Sequence, residues 1–302
     1  MKKKDLLYIK DLSKDEILEI LDTARDMRKL IDRGDRKLNV LSGMNVTTLF
    51  YENSTRTRVS FENASKILGA STSSISVATS SVQKGETLID TGKNLDSLLS
   101  DYIVMRHFQS GAPLHLAQNV TARVINAGDG MNEHPTQALL DAYTMRDMLK
   151  EIGGLNVTIV GDIKHSRVAR SNIYLLTKMG AKVTVCAPRT LLPMSIEKTG
   201  VKCEDCIEKA TKGANVIMAL RMQLERQKSA LFPSQKEFHE FYGVKAHHIG
   251  KNTLLMHPGP CNRGLDITSS AYEHDNSVIL PQVTNGVAVR MAILKLLKGD
   301  NN

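Results

Sequence analysis

The feature that most constrains this chain is a repeated alternation of short apolar runs with longer amphipathic stretches, in two series separated at Gly153-Gly154. In the first series, residues 46–51, 74–78, 102–105 and 122–127 read as strands, and 57–68 and 86–99 as helices. In the second, 157–161, 183–187, 216–220 and 254–256 read as strands, with 278–280 a shorter one, and 166–179 and 285–297 as helices. A long helix over 134–150 lies between the series, and another over 13–33 opens the chain. Ser13 and Glu16 in that first helix have capping-box spacing. Strands that alternate with helices predict parallel sheets with helices on both faces. The expected fold is therefore α/β, with two doubly wound parallel-sheet domains. Ligand sites in such folds favour domain boundaries and strand C-terminal ends, so an interdomain active-site cleft is expected.

Composition narrows the function classes. The 302 residues are 41% hydrophobic and 24% charged, ordinary globular usage with no tryptophan. Lysines and arginines exceed acidic residues by 40 − 32 = 8. The basic residues are scattered and no aromatic platform interleaves them, so anionic small substrates are expected and nucleic acid is not. No apolar run reaches the ~20 residues that span a bilayer, and the basic start lacks a signal region. No membrane partner and a cytoplasmic location are expected. Cys203-x-x-Cys206 lacks a second Cys/His pair at metal spacing, so reduced, non-ligand thiols are expected.

Polar clusters follow the predicted strands. Ser54-Thr55-Arg56-Thr57-Arg58 sits where a strand gives way to a helix. A helix start offers unpaired N–H groups and the positive end of its dipole. Hydroxyls and an arginine fork complete a phosphate cradle without a Gly-rich loop. Ser80, Lys84 and Gly85 before the next helix are ambiguous on their own. Arg106-His107 ends a buried run. His134 and Gln137 share one face at a helix start, where the dipole favours a neutral imidazole.

In the second series, Arg167 and Arg221 follow two separate strands, with Gln223 close to the latter. Two such arginines suit a dicarboxylate. His257-Pro258-Gly259-Pro260 follows a third strand, and its prolines leave rigidly aimed carbonyls able to accept from an NH₂. The turn after 157–161 lacks the dinucleotide fingerprint, so NAD is not expected.

These motifs together resemble the aspartate/ornithine carbamoyltransferase family. The resemblance is carried by F-Y-E-N-S-T-R-T-R, S-S-V-Q-K-G-E-T, V-M-R-H, N-A-G-D-G-M-N-E-H-P-T-Q, G-D-I-K-H-S-R-V-A-R-S, R-M-Q-L-E-R and M-H-P-G-P-C-N-R-G, running from residue 50 to residue 264. R-x-Q-x-E-R and H-P-G-P are similar to the aspartate branch, and the H-C-L-P segment of the ornithine branch is absent. Gly259 replaces a larger apolar residue of some relatives.

The resemblance implies that Ser54, Thr55, Arg56 and Thr57 hold the phosphate of carbamoyl phosphate. It implies that Thr57, Arg106 and His134 are catalytic and donate to the carbonyl oxygen. Gln137 and the backbone around Pro258, Gly259 and Pro260 take the NH₂. Arg167, Arg221, Gln223 and Lys84 bind L-aspartate, and Arg58 is a brace. It implies a homotrimer in which Ser80 and Lys84 come from the neighbouring subunit, admits a regulatory chain as a further partner, and requires no cofactor or metal. The domains it implies are 1–134 plus 285–302 for carbamoyl phosphate, a linking helix over 135–150, and 151–284 for aspartate. An ornithine-type acceptor and a catalytically silent binding subunit remain as alternatives.

Overall fold

The computed structural model describes residues 3–76, 85–223, 226 and 232–299. Ser80 and Lys84 therefore lie outside the described residues, as do Leu224 and Glu225. The chain divides into two compact units, Met1–Leu140 with Val283–Asn302, and Asp141–Gln282.

Unit one opens with α1 (Lys14–Asp32), whose Ser13 and Glu16 form the expected reciprocal capping box. Ile17, Ile20, Leu21, Ala24 and Met27 recur at helical spacing and are buried. Then come β1 (Asn45–Phe50), α2 (Thr55–Ile67), β2 (Ser71–Ser76), α3 (Leu88–Ser97), β3 (Tyr102–His107), α4 (Ala112–Ala117), β4 (Arg123–Asp129) and the start of α5 (Pro135–Leu149), which belongs to unit two from Asp141 onward. The sheet is fully parallel in the order β2-β1-β3-β4. Strand β2 begins earlier than its apolar residues predict, because as an edge strand it carries serines outward and starts as soon as Gly69, at φ 88°, has turned the chain.

The closing helix, α10 (Ile279–Lys298), returns to unit one from Val283 onward. Tyr102 Oη donates to the Leu294 carbonyl at 3.1 Å, and Arg290 Nη1 to Ser60 Oγ at 2.9 Å, with the guanidinium 5.0 Å from the Phe61 ring. Phe61 and Tyr102 are fully buried. Burial of one such ring stabilises by about 1.5–3 kcal/mol.

Unit two contains β5 (Asn156–Val160), α6 (Arg167–Lys178), β6 (Lys182–Cys186), β7 (Lys202–Glu204), α7 (Ile207–Thr211), β8 (Val216–Ala219), α8 (Gln235–Tyr242), β9 (Leu254–Met256) and α9 (Ser269–Tyr272). Its parallel sheet runs β7-β6-β5-β8-β9. Residues 278–280, expected as a strand, instead lead into α10. Ser277 does bridge Leu255, and the Val278 N–H donates to the Leu255 carbonyl at 2.9 Å, but pairing ends there. Val278 and Ile279 are buried while Leu280 is exposed, so one face continues as a helix where a strand would need alternation along its whole length.

Both sheets are doubly wound. In unit one the chain goes from β1 outward to β2, then crosses back to β3 and β4. In unit two it goes from β5 to β6 and β7, then back to β8 and β9. The winding reverses between β1 and β3 and between β5 and β8, and the crevice at the carboxyl ends of such a strand pair is where open α/β sheets bind ligands.

Candidate active site

The first reversal carries the anion loop. Strand β1 ends at Phe50 and α2 starts at Thr55, with Ser54 at the N-cap position. The Ser54 hydroxyl makes no capping bond, and the first intrahelical bond runs from the Arg58 N–H to the Ser54 carbonyl at 3.1 Å. The N–H groups of Thr55, Arg56 and Thr57 thus precede the ladder, at the positive end of the dipole. Thr55 and Arg56 are exposed, Ser54 is half-buried and Thr57 is buried. Arg58 reaches along the helix, its Nε 4.0 Å from Glu62 Oε1.

The neighbouring strand delivers Arg106. Phe50 and Arg106 are register partners, and the Tyr51 N–H donates to the Arg106 carbonyl at 2.8 Å. The guanidinium is oriented by Glu52 (Nε to Oε2, 3.3 Å) and by the Ala127 carbonyl at 3.4 Å. Beside it, His107 lies between the Tyr51 and Phe108 rings, with centroids at 4.4 and 4.3 Å. Burial pulls the His107 pKa below its ordinary value, and its Nδ1 accepts from the Gln109 N–H at 2.9 Å.

The next strand, β4, leads to His134 and Gln137, both buried. The turn between is built on Asp129, a fully buried carboxylate. Oδ1 accepts from Asn126 Nδ2 at 2.8 Å and the Glu133 N–H at 3.1 Å. Oδ2 accepts from the Gly111 N–H at 2.7 Å and Asn132 Nδ2 at 3.0 Å. Glu133 is itself fixed by the Ile9 N–H at 2.7 Å. The carboxyl ends of β1, β3 and β4 therefore present Ser54–Thr57, Arg106, His134 and Gln137 along one edge of one sheet.

The second reversal carries the arginines. After β5, Gly161 adopts φ 128°, and a Cβ there would lie 2.8 Å from the Leu220 carbonyl, so only glycine lets the β5 and β8 ends approach this closely. Asp162 is fully buried. Its Oδ1 accepts from the His165 N–H at 3.1 Å and lies 2.9 Å from His165 Nδ1, while Oδ2 accepts from the Gln223 N–H at 3.3 Å. That one carboxylate joins the loop after β5 to the loop after β8. Arg167 is the first residue of α6 and is buried, behind a Ser166 cap that accepts from the Ala169 N–H. Arg221 Nη2 donates to Gln223 Oε1 at 3.3 Å, and Gln223 Nε2 returns a bond to the Arg221 carbonyl at 3.2 Å.

Beyond β8 lies β9, whose end is the 257–260 loop. The Gly259 N–H donates to His257 Nδ1 at 2.8 Å, so Nε2 carries the ring proton, 3.3 Å from Asp266 Oδ2. Asp266 Oδ2 also accepts from the Asn262 N–H at 2.9 Å, and its Oδ1 from the Met222 N–H at 3.1 Å. Gly259 sits at φ 67°, and its peptide bond to Pro260 is cis.

Of the residues expected from sequence, the structure places Ser54–Thr57, Arg106, and His134 with Gln137 at or after the carboxyl ends of β1, β3 and β4 of unit one. It places Arg167, Arg221 with Gln223, and 257–260 after the carboxyl ends of β5, β8 and β9 of unit two. Sequence reasoning did not single out Asp129, Asp162 or Asp266, the carboxylates that orient these loops. For Asp162 the available signal was an aspartate following an apolar run and a glycine; Asp266, after Asn262-Arg263-Gly264-Leu265, carries none. Among the described residues no group of three or more His, Cys, Asp or Glu is placed to hold a metal ion.

Two doubly wound units in one chain, one offering an anion cradle and the other arginines at its reversal point, define an α/β enzyme that handles two anionic substrates. The chain belongs to the aspartate/ornithine carbamoyltransferase family. The family's carbamoyl-P binding domain matches residues 4–147, and its Asp/Orn binding domain matches residues 153–297. The aspartate carbamoyltransferase catalytic subunit of Ruminiclostridium cellulolyticum is 55% identical over 300 residues, covering 98% of this chain and 96% of that protein. The catalytic subunit of M. jannaschii aspartate transcarbamoylase superposes with a TM-score of 0.88 at 37% identity, covering 99% of both chains. Aspartate transcarbamoylase from Trypanosoma cruzi, solved with carbamoyl phosphate and aspartate, gives 0.88 at 31% identity, covering 96% of this chain and 95% of that one.

Proposed function

We propose that this chain is an aspartate carbamoyltransferase, transferring the carbamoyl group of carbamoyl phosphate to the amine of L-aspartate. The products are N-carbamoyl-L-aspartate and phosphate, a step of de novo pyrimidine biosynthesis. The observation that carries this reading is the coincidence of both winding reversals with the cationic loops, a phosphate cradle at one and a pair of arginines at the other.

Ser54, Thr55, Arg56 and Thr57 hold the phosphate through hydroxyls, guanidinium and helix N–H groups. Thr57, Arg106 and His134 point hydrogen-bond donors at the carbamoyl oxygen. Gln137 and the carbonyls around Pro258, Gly259 and Pro260 accept from its NH₂. Arg167 and Arg221, with Gln223 and Lys84, bind the two carboxylates of aspartate, and the same arginines repel an ornithine ammonium.

The neutral amine attacks the carbamoyl carbon, and the C–N bond forms as the carbonyl pair moves onto oxygen. The oxyanion then collapses, breaking the C–O bond to phosphate, and the amine proton leaves to the departing phosphate. Loss of one oxyanion donor costs about 2.7–4 kcal/mol in comparable sites. The reading extends to a cytoplasmic homotrimer with Ser80 and Lys84 supplied by a neighbouring subunit, and to association with a regulatory chain.

The test is ureido-product formation from carbamoyl phosphate with L-aspartate or L-ornithine. Turnover with aspartate is expected. Turnover with ornithine alone would move the chain to the other branch, and binding of phosphate with no turnover would make it a silent subunit.

A further inference from the structure

We propose that Asp141 and Gln282 are positioning residues, forming a buried relay that ties the 257–260 loop to the helix headed by Arg167. Asn172 Nδ2, on α6, donates to Asp141 Oδ2 at 2.8 Å. Gln282 Nε2, at the start of α10, donates to Asp141 Oδ1 at 2.9 Å. Gln282 Oε1 in turn accepts from the His257 N–H at 2.9 Å. Asp141 and Asn172 are fully buried, and Gln282 and His257 are 2% exposed.

The residue types follow from the chemistry. A carboxylate only accepts, so it receives one amide donor on each oxygen. Gln282 must donate at one end and accept at the other, which an amide does and a carboxylate or an alkyl group does not. Removing one partner of a buried polar set leaves the remainder unpaired, which makes the geometry all-or-none. His257 is thereby held at its backbone N–H by Gln282 and at its ring by Asp266, and its Nδ1 fixes the Gly259 N–H. What the relay adds is a fixed register between the loop whose carbonyls receive the carbamoyl NH₂ and the helix that starts at Arg167. The role rests on the substrate reading above.

Gln282→Leu and Gln282→Glu in the full chain test it, with kcat, both KM values and thermal melting measured across pH. Gln282→Leu is expected to lower kcat by about 10–100-fold at a temperature where it is folded, since displacements near 1 Å cost that order. In Gln282→Glu a protonated carboxyl reproduces both bonds, whereas an ionised one faces Asp141 as a like charge. Its activity relative to the parent is therefore expected to be highest at low pH and to fall as pH rises. Should Gln282→Leu not fold, this pH ratio decides alone. A folded Gln282→Leu with parental kcat and KM, or a pH-independent ratio for Gln282→Glu, overturns the role. A parent enzyme with no carbamoyl transfer overturns instead the functional reading on which it rests.

Discussion

Replacing Asp129 tests whether the turn ahead of His134 is built as described. Four donors converge on this carboxylate, two of them backbone N–H groups, those of Gly111 and Glu133. In Asp129→Ala the two amide side chains can turn away, but the two N–H groups are fixed by the main chain and lose their acceptor. An orphaned buried donor costs about 1–3 kcal/mol, so the pair sets a loss of about 4 kcal/mol. Asp129→Asn keeps one acceptor oxygen and turns an NH₂ toward two of the donors, for an expected loss of about 2–3 kcal/mol. Urea unfolding with the midpoint read at constant slope gives both values. Because Glu133 N–H is one of the orphans and His134 is the next residue, the KM for carbamoyl phosphate is expected to rise in the Asn variant. A loss below about 1 kcal/mol for Asp129→Ala would refute the reasoning, showing that the turn is set by other contacts.

Two other outcomes are expected. His248 is buried, and burial together with His247 and Lys245 pulls its pKa from 6.5 to about 4, against an opposing pull from Glu208. The unfolded chain therefore takes up the proton first, so this group's contribution to stability is complete above pH 6.5 and is lost as pH falls toward 4. About 2 kcal/mol is at stake after allowance for solvent screening, and His248→Gln is expected to flatten the melting temperature over that window. Arg221→Ala is expected to raise the KM for aspartate about 100-fold, the scale of a lost charge-assisted pair, while leaving that for carbamoyl phosphate nearly unchanged. Saturation by aspartate at parental concentrations would remove Arg221 from acceptor binding.

The parallel strands were legible because strands buried on both faces must be continuous apolar runs, as 102–105, 216–220 and 254–256 are. The loop at Ser54–Thr57 was legible as an anion-site candidate because hydroxyls, an arginine and a helix start coincide in four consecutive residues. The stretch 278–280 was misread because three apolar residues carry no period, and only the rest of α10 decides between strand and helix. Short elements such as α4, α9 and β7 fall below the length at which periodicity shows. Asp129, Asp141, Asp162, Asp266 and Gln282 were not singled out in sequence. Their burial depends on which strand ends become neighbours, and their donors come from up to 141 positions away, as between Gln282 and Asp141.

Unit one is assembled from segments on both sides of unit two in the chain. On the ribosome, Asp141–Gln282 is translated in full, and can begin to collapse, while the segment that supplies Arg290 to Ser60 and Leu294 to Tyr102 is still inside the exit tunnel. The earlier-made half must wait with Phe61 and Tyr102 unsheltered until α10 emerges. The first-born strands are therefore the last to be sealed, and a nascent chain stalled short of α10 would expose unit one to chaperones and proteases.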